Sequence, residues 1–366
     1  MPRFHAAVAT STRVEFVASV PLDLVNAMYF TSMGSHAEGV EDWPAQVRGE
    51  MRPDLRDELD FLFRYPNDPG VMGAVNDSLF AHPEAWGDVE SLLRYVREMP
   101  TGVGEFPDRP GIQGLAIYTL RWLGHRHGVE ADPTLAPRDR LAKAAADVGL
   151  DVDTVLAVYD RPEELRQRIL DLIQRFYDEH YRHELPHRLS CLEHSVAAHR
   201  NQAVGDIEEL TQTLTHRPIS CLAEQPGAYT HHIFAPSLDM GPWVSCADIP
   251  PIHGLYYPCE PRFIGAQAEE SEEMRRLARI HKALSDEQRL RILRLLSESE
   301  GELYAQQIVE RTGLHQSVVS RHLEFMRVVG LLIGRRQSNM KFYSLNPAMR
   351  EELGKTLALF PSERQA

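Results

Sequence analysis

Several features that identify membrane, secreted and enzyme proteins are absent from this sequence of 366 residues. No run reaches the roughly eighteen consecutive apolar residues that a bilayer-spanning helix needs, so we expect no membrane partner. The first ten residues hold no basic stretch followed by a long apolar segment, and we therefore expect no signal peptide. A Walker loop, HExxH, GxSxG and the Rossmann glycine fingerprint are also missing, so no common enzyme class and no cofactor are indicated.

Cysteine is scarce in the chain. The four residues are Cys191, Cys221, Cys246 and Cys259, and none of them forms a CxxC pair. This usage is typical of reduced thiols rather than of a disulfide framework, and it predicts a cytoplasmic protein. The composition is otherwise globular, and a chain of this length is expected to form two or three domains.

Charge is distributed unevenly along the chain. The whole sequence carries −14, whereas residues 271–366 hold sixteen Lys and Arg against twelve Asp and Glu, which leaves −18 for the remainder. Residues 311–345 carry six basic side chains and one acid, Glu324. An acidic body with a local basic patch fits a DNA-binding module joined to a separate sensing domain, although a solvated charged face gives the same count.

The order of patterns predicts a mainly α protein of the α+β type in three parts. Residues 1–215 repeat apolar side chains at helical spacing, for example over residues 52–64 and 162–182, and predict a large helical domain with a sensor or regulatory role. Residues 216–268 hold short β-favouring runs among prolines and predict a small antiparallel β segment. Residues 269–366 predict a winged helix-turn-helix DNA-binding domain.

The winged helix is predicted from the order of its elements. Residues 277–296 indicate two helices broken at Ser285, which is suited to cap the second one. A third helix ends at Gly313, where a left-handed residue is needed, and residues 316–329 form a fourth. Two β-favouring runs within residues 331–345 then complete a hairpin, and this order is typical of a winged helix-turn-helix.

The helix over residues 316–329 has the chemistry of a recognition helix. Its polar side chains share one face, and apolar ones lie opposite. In such helices glutamine pairs with adenine, and arginine pairs with guanine or binds phosphate. Basic residues of the wing bind the phosphates of the DNA backbone. The residues that we predict to contact double-stranded DNA are His315, Gln316, Ser317, Ser320, Arg321, Arg335, Arg336 and Lys341. A solvated surface helix is the opposing interpretation. His322 falls on the inner side, where packing or hydrogen bonding is favoured.

Three stretches resemble the core signatures of the ArsR/SmtB family: ALSDEQRLRILRLLSE, GLHQSVVSRHLEFMRVVGLL and GRRQSNMKFYSLNP, within about residues 277–347. The resemblance implies a homodimeric winged-helix repressor that releases a palindromic operator when its effector binds. The part before residue 270 resembles the long N-terminal domain of larger regulators of this type, a likeness that implies no ligand.

Two departures from the family pattern bear on metal sensing. Tyr304 and Gln306 stand where the family's metal sensors carry a Cys-x-Cys, and neither supplies a thiolate. Residues 348–360 contain no histidine for a zinc site on the last helix. His315 stands just before the recognition helix, where the family usually has a serine, and histidine is a weaker N-cap. The sequence therefore predicts no metal sensing inside the winged helix.

The effector of the front part stays open between a metal ion, an organic ligand and none. His187, Cys191 and His194 lie at i, i+4 and i+7 of a helix predicted from Pro186 onward, a spacing that suits a metal site on a stripe facing solvent or a groove between elements. Solvated histidines are the more frequent case, so these three are weak metal candidates. The rival site for a small-molecule effector is an apolar pocket lined by Phe234, Trp243, Tyr256 and Tyr257, although these side chains suit a core equally well.

We conclude from the sequence that the protein is a DNA-binding transcriptional regulator, expected to be an effector-responsive repressor and not an enzyme. The alternative is an enzyme with an unrecognised active site fused to a winged-helix module.

Overall fold

The computed structural model describes residues 3–6, 12–34, 42–66, 69–122, 132–199, 206–215, 228–259, 267–299, 301–337 and 340–358. The chain divides into two compact units, Met1–Pro261 and Arg262–Ala366, called here the front unit and the winged-helix unit. No helix within those described ranges is long and apolar enough to cross a membrane.

The front unit is rich in helices. They are α1 (Val20–Met33), α2 (Asp42–Glu50), α3 (Pro53–Arg64), α4 (Gly70–Leu79), α5 (Val89–Glu98), α6 (Ile112–Tyr118), α7 (Pro137–Asp147), α8 (Val152–Tyr159), α9 (Pro162–Phe176), α10 (Leu185–His199) and α11 (Ile207–Thr215). Proline begins α3, α7 and α9, where its missing N–H leaves no helical hydrogen bond unmade. The helix predicted over residues 162–182 is α9 followed by a π-helical turn, Tyr177–Tyr181.

A five-stranded mixed sheet joins the two ends of this unit. Its strands are β1 (Arg3–Ala6), β2 (Arg13–Val17), β5 (His231–Ser237), β6 (Ser245–Ile249) and β7 (Ile252–Pro258), in the order β1-β2-β5-β7-β6. Strands β2, β5 and β7 are parallel, and the outer two are antiparallel to their neighbours. A separate two-stranded ribbon consists of β3 (Gly104–Glu105) and β4 (Arg109–Pro110).

This sheet corrects the prediction of a small antiparallel segment over residues 216–268. Only the β6–β7 pair is antiparallel there, and β5 pairs in parallel with β2 from the beginning of the chain. The described part of the segment therefore belongs to the same compact unit as the helices of residues 1–215. A parallel pair needs a long crossover, and a pattern read locally along the chain does not reveal which distant strand is the partner.

Helices cover both faces of the sheet. Helices α1 and α4 pack on one face, and α10 and α11 pack on the other. Strand β5 is buried from His232 onward, and β2 is buried after its first residue. Such continuous burial is typical of parallel strands in a three-layer arrangement.

A buried ionic network lies at the carboxyl ends of β2 and β5. Arg188 of α10 donates to Asp23 of α1 at 3.0 Å and also to Asp239, which follows β5. The hydroxyl of Tyr181 donates to Asp23 at 2.7 Å, and Arg188 lies over the ring of Trp43 at 4.1 Å. Arg188 is 2% exposed and Asp23 is fully buried, so the network joins helices from both faces of the sheet inside the protein.

The winged-helix unit has the predicted order of elements. It contains α12 (Gln267–Leu284), α13 (Glu287–Ser297), β8 (Leu303–Tyr304), α14 (Ala305–Thr312), α15 (Gln316–Val328), β9 (Leu332–Gln337), β10 (Met340–Leu345) and α16 (Met349–Ala358). The three strands form an antiparallel sheet in the order β8-β10-β9. The predicted cap, Ser285, is wrong by one residue: Asp286 accepts from the N–H of Arg289 at 3.0 Å and is the N-cap of α13.

Candidate nucleic-acid interface

The turn before α15 fixes where this helix begins. Gly313 ends α14 with φ of 68°, a left-handed conformation that favours glycine. His315 then caps α15, and its Nδ1 accepts from the N–H of Ser317 at 3.3 Å. The predicted N-cap is therefore made by an imidazole. The N-terminal end of the helix lies at the surface.

The two faces of α15 differ as the spacing predicts. Val319, Leu323 and Met326 are buried in the core of the unit. The exposed residues at the start of the helix are His315, Gln316, Ser317, Ser320 and Arg321. Because these polar side chains lie within the first two turns, the helix presents hydrogen-bonding groups at the end that enters the major groove in such motifs.

His322 lies on the inner side of α15. It is 4% exposed, and its Nε2 is 3.1 Å from Oε1 of Gln288 on α13. The ring therefore joins the recognition helix to α13 inside the core, which agrees with the packing and hydrogen-bonding role expected from the helical wheel.

Glu324 is held at the far end of the polar face. Its carboxylate accepts from Nε of Arg327 at 3.1 Å, one turn later in the same helix. Both side chains are about one third exposed, at 32% and 31%. The charge of Glu324 is thus neutralised within α15, and the polar surface of this helix open to a ligand is concentrated at its N-terminal turns.

The wing does not present its three basic residues as one cluster. Arg335 pairs in register with Phe342, and Lys341 pairs with Arg336, so Arg335 and Lys341 lie on opposite faces of the hairpin. Lys341 is exposed. The strand position of Arg336 is described, but its side chain lies outside the described residues.

Arg335 has an acidic partner that sequence reasoning missed. Glu302, just before β8, accepts from Nη2 of Arg335 at 2.7 Å, and the guanidinium lies 5.2 Å from the ring of Phe342. The ion pair with Glu302 raises the pKa of Arg335. The two residues are 33 positions apart, and the pairing of β10 with both β8 and β9 brings them together.

The three predicted metal candidates on α10 differ in exposure. His187 and His194 are exposed, whereas Cys191 is 5% exposed and packs with Leu192 and Val196. Nε2 of His187 is 3.9 Å from Sγ of Cys191, and burial raises the pKa of that thiol. Of the two orientations expected for this stripe, Cys191 therefore faces the side on which α10 packs against the sheet, while both histidines lie at the surface.

The residues at the family's metal position form the start of α14. Tyr304 donates its backbone N–H to Oε1 of Gln307 at 3.1 Å, and its ring lies 6.1 Å from that of Phe342. Gln306 is exposed. A phenol and an amide provide a helix start here, and neither is a ligand for a soft metal.

The aromatic residues considered for an apolar pocket belong mainly to the core. Phe234, Tyr256 and Tyr257 are at most 2% exposed and fill the two sides of the sheet, and Trp243 is partly buried. Phe234 stacks on Phe16 with ring centroids 5.2 Å apart. These side chains therefore stabilise the front unit by packing, which was the alternative to a ligand pocket.

Comparison with known proteins finds relatives of the winged-helix unit. A family model described as the arsR family of bacterial regulatory proteins matches residues 286–333. The uncharacterized HTH-type transcriptional regulator YceK of Bacillus subtilis is 40% identical over 68 residues, which are 19% of this chain and 68% of that protein. The arsenic resistance transcriptional regulator ArsR2 of Pseudomonas putida is 39% identical over 19% of this chain and 60% of its own length. The arsenical resistance operon repressor of Escherichia coli is 41% identical over 19% of this chain and 57% of its own length, so both arsenic-related proteins are matched over less than two thirds of their length.

Among solved structures, a homodimeric winged helix-turn-helix DNA-binding domain from Mycobacterium bovis is 26% identical and covers 28% of this chain and 97% of that one, with a TM-score of 0.22. At that TM-score the structural likeness carries no weight, whereas the sequence matches do. The chain belongs to the ArsR family of bacterial regulatory proteins, with the family's winged helix-turn-helix DNA-binding domain at its C-terminal end and a long domain in front of it.

Proposed function

We propose that the protein is an effector-responsive transcriptional repressor that binds a palindromic operator as a homodimer. The observation that carries the proposal is the exposed polar surface at the start of α15, where Gln316, Ser317, Ser320 and Arg321 stand clear of the core. Binding of an effector to the front unit then lowers the affinity for DNA. A repressor of this kind acts on the chromosome, so the proposal places it in the cytoplasm.

Each exposed side chain of α15 has a role in this proposal. Gln316 pairs with adenine through its amide, and Arg321 contacts guanine through its guanidinium. Ser317 and Ser320 accept or donate to either bases or phosphates. Lys341 and Arg336 on the wing bind the DNA backbone, and Arg335 contributes less because Glu302 already neutralises it.

The proposed dimer surface consists of residues 274–284 of α12 and of the last helix, predicted over residues 348–360 and described as α16. These two helices pack against each other: Nε2 of His281 lies 2.8 Å from the hydroxyl of Thr356, and Arg276 lies 3.5 Å from Glu352. Met274 at the start of this surface is 40% exposed. One recognition helix reads only a few base pairs, so a second copy related by a twofold axis supports specific recognition of a longer site.

Arg321→Ala is expected to weaken binding to the operator by about 1–3 kcal/mol and to leave binding to scrambled DNA almost unchanged, because a base contact is lost. Lys341→Ala is expected to weaken binding to both DNAs and to lower the salt dependence by about one counterion. Both are measured by fluorescence anisotropy at several salt concentrations, on DNA selected by the full-length protein. Arg294→Ala, an exposed arginine paired with Glu298, is the matched control. Equal losses on both DNAs for Arg321→Ala would contradict base readout.

The second candidate function is an enzyme in the front unit fused to the DNA-binding domain. The observation that favours it is the buried carboxyl of Asp77, since a carboxyl that titrates near neutral pH is a common component of active sites. This carboxyl is 6% exposed and accepts from the hydroxyl of Tyr118 at 2.9 Å. We therefore favour a sensor, and turnover of any metabolite by the full-length protein with loss in Asp77→Asn would support the enzyme instead.

A further inference from the structure

A cavity of about 360 Å³ lies at the surface of the front unit, between α5, the β3–β4 ribbon and residues 82–84. Sites for small organic ligands have volumes of about 300–1,000 Å³. All the residues that line the cavity fall within the described range 69–122. The space is therefore large enough for a small metabolite, and its walls are known.

His82 joins the walls of this cavity to one another. Its Nδ1 lies 2.7 Å from Oε1 of Glu84, and its Nε2 lies 2.8 Å from the carbonyl oxygen of Pro107, between the two strands of the ribbon. The imidazole also packs on the ring of Tyr95 of α5, with ring centroids 4.7 Å apart. The hydroxyl of Tyr95 donates to Ser78 at 2.9 Å. These contacts fix the walls within the protein itself, as is usual for a preformed ligand site.

The buried side chains that line the cavity are apolar. Met99, which follows α5, is 4% exposed, and Pro110 of β4 is also buried. Tyr95 is half-buried. An apolar surface with a few polar groups is the usual lining of a small-molecule site, because the polar groups orient the ligand while its apolar part is removed from water. The cavity therefore suits a ligand with an apolar side chain.

Four charged side chains line the same cavity without forming an ion pair. Arg94 and Glu98 belong to α5, and Asp108 and Arg109 belong to the ribbon and its turn. All four are exposed. Within the described ranges of the chain, none of these side chains makes an ion pair or a hydrogen bond. Two cationic and two anionic groups are thus available to a ligand that carries both signs of charge.

The charges define the polar part of such a ligand. Arginine binds a carboxylate through charge-assisted hydrogen bonds, and carboxylates accept from an ammonium group. An organic ammonium suits Glu98 and Asp108 better than a metal ion, because no group of three or more His, Cys, Asp or Glu side chains in the described part of the chain could hold one. An α-amino acid carries an ammonium, a carboxylate and a side chain on one carbon atom.

We propose that this cavity binds a free α-amino acid with an apolar side chain. Arg94 and Arg109 bind its carboxylate, and Glu98 and Asp108 bind its ammonium group. The apolar side chain packs on Met99 and on the other buried lining residues. The binding takes place in the front unit and is measured without DNA, so it does not depend on the proposed function.

Isothermal titration of the full-length protein with free leucine, isoleucine, valine, methionine, phenylalanine and tryptophan tests the proposal. At least one of them is expected to bind saturably, with one molecule per chain. Its analogues that lack the ammonium or the carboxylate group are expected to bind about tenfold more weakly or less, because each loses charge-assisted hydrogen bonds. Saturable binding by none of the six amino acids, or equal affinity for either analogue, would overturn the proposal.

Substitutions of the exposed arginines locate the binding in this cavity. Arg94→Gln and Arg109→Gln are each expected to weaken the affinity for the amino acid about tenfold or more. Arg97→Gln is the matched control: Arg97 is an exposed arginine of the same helix that pairs with Glu90 at 2.7 Å and does not line the cavity. It is expected to bind with wild-type affinity. Wild-type affinity in both cavity variants, with their folding confirmed by circular dichroism, would contradict the proposed site.

Discussion

Replacing Arg188 with methionine is expected to lower the free energy of unfolding of the front unit by about 3–5 kcal/mol, the cost of leaving buried charges without their partner. Asp23 and Asp239 both accept from this guanidinium inside the protein. Burial lowers the pKa of Arg188, but the two carboxylates raise it by more, so the residue stays charged. Methionine fills a similar volume but carries no charge. Asp23 then keeps only neutral donors, such as the hydroxyls of Tyr181 and Ser237.

The effect is measured by urea denaturation followed by tryptophan fluorescence. All four tryptophans, at positions 43, 86, 122 and 243, lie in the front unit, so the signal reports on this unit alone. Arg182→Met is the matched control, because Arg182 is 68% exposed and its nearest acid, Asp178, is 3.8 Å away. A loss below about 1 kcal/mol is expected for it. Similar losses for the two variants would show that the buried network adds nothing beyond a surface ion pair.

The contribution of Asp77 to the stability of the front unit is expected to fall as pH rises from about 5 to 8, and Asp77→Asn is expected to remove this pH-dependent contribution. Asp77 of α4 is 6% exposed and accepts from the hydroxyl of Tyr118 at 2.9 Å. Burial raises the pKa of Asp77 to about 7, against the opposing influence of Arg121. In the unfolded chain an aspartate has a pKa of about 3.9.

The direction of this pH dependence follows from whether the folded or the unfolded protein binds the proton of Asp77. Between about pH 4 and 7 the folded protein keeps a proton on Asp77 that the unfolded chain has released, so lower pH favours folding and this stabilisation is lost as pH rises through 7. The shift corresponds to at most about 4 kcal/mol at pH 8. Asparagine imitates the protonated form at every pH.

Urea denaturation of the wild type and Asp77→Asn at several pH values between 5 and 8.5 measures this effect. The free energy of unfolding of the variant is expected to increase relative to that of the wild type as pH rises. Any loss of stability caused by the amide itself is the same at every pH and does not affect this trend. Other titrating groups cancel in the difference between the two proteins. A difference that is the same at pH 5.5 and pH 8 would falsify the role assigned to Asp77.

The winged helix could be predicted closely because its signals are local. Gly313 has the left-handed conformation that the end of α14 needs, and the apolar spacing of α15 gives the buried face correctly. The short strand β8 was not predicted, and the cap of α13 is shifted by one residue, from Ser285 to its neighbour Asp286. Both residue types are good N-caps, so composition alone did not distinguish them.

The front unit was predicted less well because its decisive contacts are distant along the chain. Strand β2 pairs with β5 across more than two hundred residues, and the prediction of a separate antiparallel segment missed that pairing. Helical spacing alone left the stripe of Cys191 facing either solvent or a groove between elements, and only the packing of α10 on the sheet shows that this thiol is buried with Leu192 and Val196.

The central claim, that α15 reads DNA for a twofold-symmetric dimer, is tested most directly by selection from random DNA. Full-length protein is used to enrich bound sequences over several rounds, and Arg321→Ala is processed in parallel. We expect an inverted repeat in the wild-type pool, with half-sites about one or two helical turns of 10–10.5 base pairs apart, and a degraded half-site motif for Arg321→Ala. A wild-type pool without a motif, or with a single asymmetric motif that Arg321→Ala also selects, would contradict it.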